Sequence, residues 1–387
     1  MFNGVGDQPK LYFHADEREL VAILMSQTGF GEVAFWRLYS FLRKQKISFT
    51  EFWSARDLSF FPIHNNLVET IKKTKKEYKI GNYFEWLAER QVSFFLCTDD
   101  DYPPLLRTID LPPPLLYGRG KPIETTQSLA VVGSRQMTMY GKLVIIHWLP
   151  ELIKAGIPII SGAVKGVDRT VQQLALDSGG QTIAVLGHGL VATIGTSQQR
   201  LLADWEAAGA WLVSSFAPRV DPSKGTFLAR NRVVAGMSTV VLVIEAAQKS
   251  GTMHTAAWSA EFGRQLLAVP GSVFNQFSDG TAALLNQGAS LVTTAAEVCE
   301  VVRGNSIKTE VSALASQLKQ CEQNWSMVEH AVWDVVRSGE TQFYMLTAKL
   351  VPRFSLSEVL AAVTSLEVKK LIVQKHGWLL AGKQGNK

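Results

Sequence analysis

Seven short, almost unbroken apolar runs recur between Ser128 and about Val302: LAVVG, IPIIS, TIAVLG, WLVSS, TVVLVIEA, QLLAVPG and ASLVTT. A strand with one wet face alternates apolar and polar residues. These runs do not alternate, so each suits a strand covered on both faces. Helical stretches separate them, and that rhythm predicts an α/β fold with a doubly wound, mostly parallel sheet and right-handed crossovers. In open sheets of this kind, turn amides and helix N-termini converge at the carboxyl ends of the strands, which is where phosphorylated ligands bind.

The turns that close these runs carry the candidate chemistry. Gly133-Ser134-Arg135 ends the first: glycine allows close backbone approach, serine offers a hydroxyl, and arginine offers a planar fork of donors for a phosphate or for a neighbouring carboxylate. The second ends in Ser161–Asp168, where Gly162 and Gly166 let the loop fold tightly, Lys165 projects toward the crevice and Asp168 suits a helix cap. Arg230-Asn231-Arg232 sets two cations and an amide before VVAGMSTVVLVIEA. Ser250-Gly251-Thr252 precedes a helical AAWSAEFGR, offering N-terminal amides to a phosphate or a hydroxyl to the helix itself.

Several functions fall away on the same residues. Gly187-His188-Gly189 follows a strand, but Ala192 stands where a third dinucleotide-binding glycine belongs, so NAD is not expected. No Walker A sequence is present, and no cofactor is implied. Cys97, Cys299 and Cys321 lie far apart, without zinc or CxxC spacing, and read as buried thiols. A hydrophobic content of 47% with 19% charged residues describes a globular chain of more than one domain, and 39 Lys+Arg against 34 Asp+Glu, formally +5, suits a polyanionic partner. Neither a signal segment nor an apolar run of about 18 residues appears, so the expected location is cytoplasmic.

On the amino-terminal side, Leu20–Lys44 reads as a helix, a turn at Thr28–Gly31 and a second helix. A hairpin of this type either offers amides to a DNA phosphate or simply packs on its neighbour. Lys72, Lys73, Lys75 and Lys76 form a solvated helical face, and the proline-rich Pro103–Pro114 reads as a hinge. After Gly304 a polar stretch precedes a small domain. There, a helix over Ser357–Lys370 and a hairpin turning at His376-Gly377 suggest a winged helix. The expected organisation is a helical module at 1–97, the sheet domain at 98–304, a linker at 305–324 and the winged helix at 325–387.

Taken together, SLAVVGSR, IISGAVKGVD, TIAVLGHG, ARNRVVAGMSTVVLVIEA and SGTMHTAAWSAEFGRQLLAVPG, with TDDDYPPLLRTIDLPPPLLYGRG upstream, resemble the DNA-processing protein A (DprA/Smf) family. The resemblance implies an extended Rossmann-like sheet, a helix-hairpin-helix or SAM-like amino-terminal module, a carboxy-terminal winged helix and a homodimer. It also implies single-stranded DNA binding and the loading of a RecA-type recombinase, with Arg135, Lys165 (its loop shifted around Val164), Arg230 and Arg232 in the basic crevice. A related nucleotide-hydrolysing group carries two glutamates where this chain has His254 and Thr255, so binding without catalysis is the expectation. Gln172, Ser215, Leu228 and Ala282 depart from the usual wording. These departures leave open a specialised role in defence or on a mobile element. A nucleotide sensor and a winged-helix protein scaffold remain as alternatives.

Overall fold

All seven runs become strands of one sheet, and two strands unforeseen in the sequence join them. The computed structural model describes residues 15–27, 29–77, 82–304, 325–337, 341–368, 372–375 and 378–381. Two compact units result, Met1–Ser306 and Ile307–Lys387.

The first unit carries β1 (Ser93–Leu96), β2 (Leu115–Arg119), β3 (Leu129–Val132), β4 (Ile159–Ser161), β5 (Thr182–Val185), β6 (Trp211–Ser214), β7 (Val240–Val243), β8 (Gln265–Ala268) and β9 (Ser290–Leu291). Their order across the sheet is β1-β2-β6-β5-β4-β3-β7-β8-β9. From β6 to β9 every pairing is parallel, while β1 and β2 attach antiparallel at the β6 edge. Every residue of β3 to β7 is buried, which is why their sequences do not alternate.

Helices α1 (Ala15–Met25), α2 (Glu32–Gln45), α3 (Phe49–Ser54), α4 (Asn65–Glu77) and α5 (Asn82–Ala88) precede the sheet, and α6 (Pro104–Arg107) lies between β1 and β2. One helix then follows each strand from β3 on: α7 (Met139–Lys154), α8 (Val167–Asp177), α9 (Thr196–Ala207), α10 (Lys224–Gly236), α11 (Gly251–Glu261), α12 (Asp279–Asn286) and α13 (Ala295–Val302). The chain winds outward from β3 through β4 and β5 to β6, then returns to β7 on the other side of β3. That reversal makes the β3/β7 carboxyl ends a topological switch point.

Between residues 93 and 119 the structure departs from the expected hinge. SFFL pairs with LLYG, and Pro104 opens α6 instead of only breaking helical continuity, since proline is well placed at the first helical position. Leu96, Leu115 and Tyr117 belong to the same buried cluster as Val21, Phe35, Leu38 and Phe52, so the amino-terminal helices close over the added strands. The α1–α2 turn holds Gly29 at φ +86°, a left-handed conformation that favours glycine, and the Phe30 amide donates to the Gln27 carbonyl at 3.0 Å. Thr28 lies outside the described residues. Cys97 and Cys299 are buried free thiols, with burial pushing Cys97 up to about 12; Cys321 also lies outside the described residues.

The second unit, described by itself, has helices Met327–Arg337, Phe343–Leu350 and Leu356–Val368 and strands β10 (Thr341–Gln342), β11 (Ile372–Lys375) and β12 (Trp378–Ala381). β12 lies antiparallel between β10 and β11. The cap of its last helix is Ser355, whose backbone amide and hydroxyl both reach Glu358, at 2.8 and 2.6 Å, while the Glu358 amide returns to the hydroxyl at 3.3 Å. Val332, Leu346, Val359, Val363, Leu366 and Leu379 form its core. The expected linker at 305–324 and the hairpin turn at His376-Gly377 lie outside the described residues.

Candidate nucleic-acid interface

Gly133 is required where β3 ends, because a Cβ there would lie 2.6 Å from Val167 Cγ2 and 3.0 Å from the Glu245 carbonyl oxygen. The Ser134 amide donates to that carbonyl at 2.8 Å, and the Ser134 carbonyl accepts from the Val167 amide at 3.2 Å. Ser134 is buried, and its hydroxyl accepts the Gln136 amide at 3.0 Å, so it shapes the turn. Arg135 emerges exposed, with its guanidinium 5.4 Å from the centroid of the Phe227 ring.

The second glycine loop locks against the first. Gly166 sits at φ +95°, and a Cβ on it would lie 2.2 Å from the Ser134 carbonyl oxygen and 2.7 Å from Arg135 Cα. Its neighbour Lys165 is exposed and has no ion-pair partner among the described residues, so it is held beside Arg135. Lys224, which no sequence motif singled out, is exposed at the start of α10, three positions before Phe227 and so on the same helix face. Ser223 caps this helix in a reciprocal box with Thr226, and that cap was the signal available in SKGTF.

Arg230 lies beneath this surface. It is 3% exposed and donates Nη1–H to the Val185 carbonyl at 2.5 Å and to the Gly162 carbonyl. Only glycine fits at 162, since a Cβ would lie 2.1 Å from Arg230 Nη1. Burial lowers the Arg230 pKa to about 10, opposed by the nearby Asp168. Asp168 is itself buried and accepts the Gly162 amide at 3.2 Å. Desolvation raises its pKa, while Arg230 pulls it back down. The guanidinium therefore ties the ends of β4 and β5 together from α10.

Arg232 projects to the other side of α10, about 200° around the helix. It pairs with Glu32 at 2.7 Å, donates to the Leu111 carbonyl at 2.7 Å and to that of Asp110, and lies 5.7 Å from both the Trp258 and Phe262 rings. Burial raises the Glu32 pKa against the pull of Arg232. Asn231 accepts from Arg230 Nε at 3.3 Å and donates to the Gly251 carbonyl at 3.1 Å. The three residues adjacent in sequence thus serve separate places, and of the four expected cationic anchors only Arg135 and Lys165 stand at the surface of the crevice.

At the switch point, two helix N-termini face different fates. Glu245, a buried carboxylate missed in the sequence although it directly follows the VVLVI run, accepts the Thr138 amide at 2.9 Å and the Thr138 hydroxyl. Gly141 makes room for it, since a Cβ there would lie 2.5 Å from Glu245 Oε2. The N-terminus of α7 is thereby occupied by a fixed negative charge. That of α11 is not. Ser250 occupies its cap position without a side-chain cap bond, and its Oγ is buried without a partner among the described residues. Gly251 is exposed and Thr252 buried beside it, so the first-turn amides of α11 are placed for an anion.

Gly187 and Gly189 serve packing. Cβ atoms on them would lie 2.5 Å from the Phe227 ring and 2.1 Å from the Ala217 carbonyl oxygen. Gln172, one of the departures from the family's wording, accepts the Ala163 amide at 2.9 Å and donates to the Ile183 carbonyl at 3.2 Å, knitting β4 to β5. Leu228 and Ala282 are exposed and Ser215 half-buried.

The chain is an open α/β protein with a switch-point crevice at its strand ends, the place where folds of this class receive phosphate-bearing ligands. The family model described as DNA recombination-mediator protein A matches residues 93–303, and the chain belongs to that family. It is 35% identical over 249 residues to Protein Smf of Synechocystis sp., covering 62% of each chain. It is 32% identical over 214 residues to DNA processing protein DprA of Bacillus subtilis, covering 55% of this chain and 72% of that one. The match to Protein Smf of Escherichia coli is 38% over 217 residues, covering 56% and 58%. The first and last of these matches span less than two thirds of the relative's length. The X-ray structure of DprA from Streptococcus pneumoniae is similar at TM-score 0.58 and 26% identity, covering 72% of this chain and 95% of that one.

Proposed function

We propose that the protein binds single-stranded DNA across the carboxyl ends of β3, β4 and β5 and acts as a recombination mediator, delivering the strand to a RecA-type recombinase. The observation that carries this reading is the half-buried Phe227 ring, covered by the Arg135 guanidinium at 5.4 Å, with exposed Lys165 on the glycine loop packed against Arg135 and exposed Lys224 three positions before the ring on α10. A guanidinium set over an aromatic ring, with unneutralised cations beside it, suits unstacked bases joined by phosphates, because arginine planes stack on bases as aromatic rings do and every base has a π-face. The α11 N-terminus supplies one further anion seat.

The protein acts by binding, without a catalysed reaction. Its two central carboxylates, Asp168 and Glu245, are buried and hydrogen-bonded to backbone amides, which leaves them poorly placed to activate water. The family's description as a recombination mediator supports the recombinase as partner, and a homodimer and a winged helix in the second unit belong to the same proposal. No described helix is long and apolar enough to cross a membrane.

A second reading, a mononucleotide sensor, draws on the partnerless Ser250 Oγ at the switch point. Titrating oligothymidylates of increasing length against a mononucleotide separates the two. Affinity that rises with length and falls by ~0.7 log units per decade of salt for each neutralised phosphate supports the strand. A flat salt response with tight mononucleotide binding refutes it.

A further inference from the structure

The surface continues past Phe227. Gly187 lies under that ring, and Gly189 is joined to the loop after β6 by its backbone N–H, which donates to the Val220 carbonyl at 2.8 Å, with the Val191 N–H donating to the Pro218 carbonyl at 2.7 Å. Arg219 projects exposed from this loop, 4.7 Å from the centroid of the Trp86 ring on α5. Arg90 lies 4.5 Å from the same ring, and Tyr83 stacks on it with centroids 6.0 Å apart. Between loop and helix is a cavity of about 560 Å³, lined by Trp86, Tyr83, Asn82, Gln27 and Arg219 among others. Its size is that of sites that hold small molecules.

The cavity's chemistry is selective for one kind of occupant. Gln27 is already engaged with Ile23, Ser26 and Thr74, so its amide offers little to a base edge. Arg90 is partly neutralised by Glu89 at 3.0 Å, whereas Arg219 has no carboxylate within ion-pair distance among the described residues. A stacked aromatic wall with an unneutralised guanidinium lying over it suits a base that displaces the guanidinium onto its adjoining phosphate. The loop that carries Arg219 follows β6, which lies three strand spacings, about 14 Å, across the sheet from β3.

We propose that this cavity is a second base subsite for the same single strand: a base leaving the Phe227 surface enters beside Trp86, and Arg219 pairs with the adjoining phosphate. The amino-terminal helices thereby form one wall of the binding path. The subsite rests on the strand-binding reading of the crevice.

Fluorescence anisotropy with an oligothymidylate length series tests both on the full chain. Arg219→Ala, a surface change, should bind short oligonucleotides like the wild type and bind long ones about tenfold more weakly, the scale of one stacked, charge-paired nucleotide. Trp86→Leu should match it, and Trp86→Phe should restore most of the loss. Arg219→Ala that tracks the wild type at every length, or loses affinity equally at all lengths, overturns the subsite alone. A wild-type chain that binds no oligonucleotide of any length overturns the crevice reading and the subsite together.

Discussion

Replacing Arg230 by Ala should unfold the crevice and not merely discharge it. The guanidinium is 3% exposed, and its donors reach the Gly162 and Val185 carbonyls and Asn231. Alanine would leave those carbonyls without their donor, strand the buried Asp168 carboxylate without its nearest cation and open a cavity beside Gly162. Leaving a buried charge and its hydrogen-bonded partners uncompensated costs about 3–5 kcal/mol, which lowers the unfolding midpoint by roughly 5–8 °C in a unit of this size. Differential scanning calorimetry alongside Arg135→Ala makes the comparison: the exposed Arg135 should leave the midpoint within a degree or two of wild type. An Arg230→Ala protein that melts like the wild type and loses only DNA affinity would refute the structural role, since the guanidinium would then be reaching the ligand.

Arg135→Ala combined with Lys165→Ala should keep the fold and weaken oligothymidylate binding by about 1.5–3 kcal/mol for each charge-assisted hydrogen bond removed. Its salt slope should become shallower by about 1.4, and an unchanged affinity and slope would place the crevice elsewhere. Gly166→Ala puts a Cβ 2.2 Å from the Ser134 carbonyl oxygen at φ +95°. Denaturant titration should show destabilisation of roughly 2 kcal/mol or more, with binding abolished as the paired turns separate. Burial raises the Asp168 pKa above its unfolded value, so the folded state holds the proton more tightly and this group's contribution to stability grows as pH falls toward 3.8. Relative to Asp168→Asn, the wild type should therefore gain stability from neutral toward mildly acidic pH, and urea midpoints that show the opposite trend would contradict the assigned burial.

The seven strands of the parallel sheet and the glycine turns at their ends are visible in the sequence because burial on both faces demands unbroken apolar runs, and close backbone approach demands glycine. Local composition dictates both. The strands SFFL and LLYG escaped because no repeated strand-turn-helix rhythm surrounds them and LLYG directly follows Pro112–Pro114; they become strands only by pairing with each other and, for LLYG, with β6. The same limit governs the site. Arg135 and Lys165 adjoin turn glycines whose geometry presents them outward, so their exposure follows from local structure. Arg230 and Arg232 share one motif but stand on different sides of α10, and nothing local distinguishes the one that fastens Gly162 to Val185 from the one that reaches Glu32. Which cation is buried depends on what packs against each face of the helix. That is decided by residues roughly 45 to 200 positions away in the chain, and therefore only by the tertiary structure.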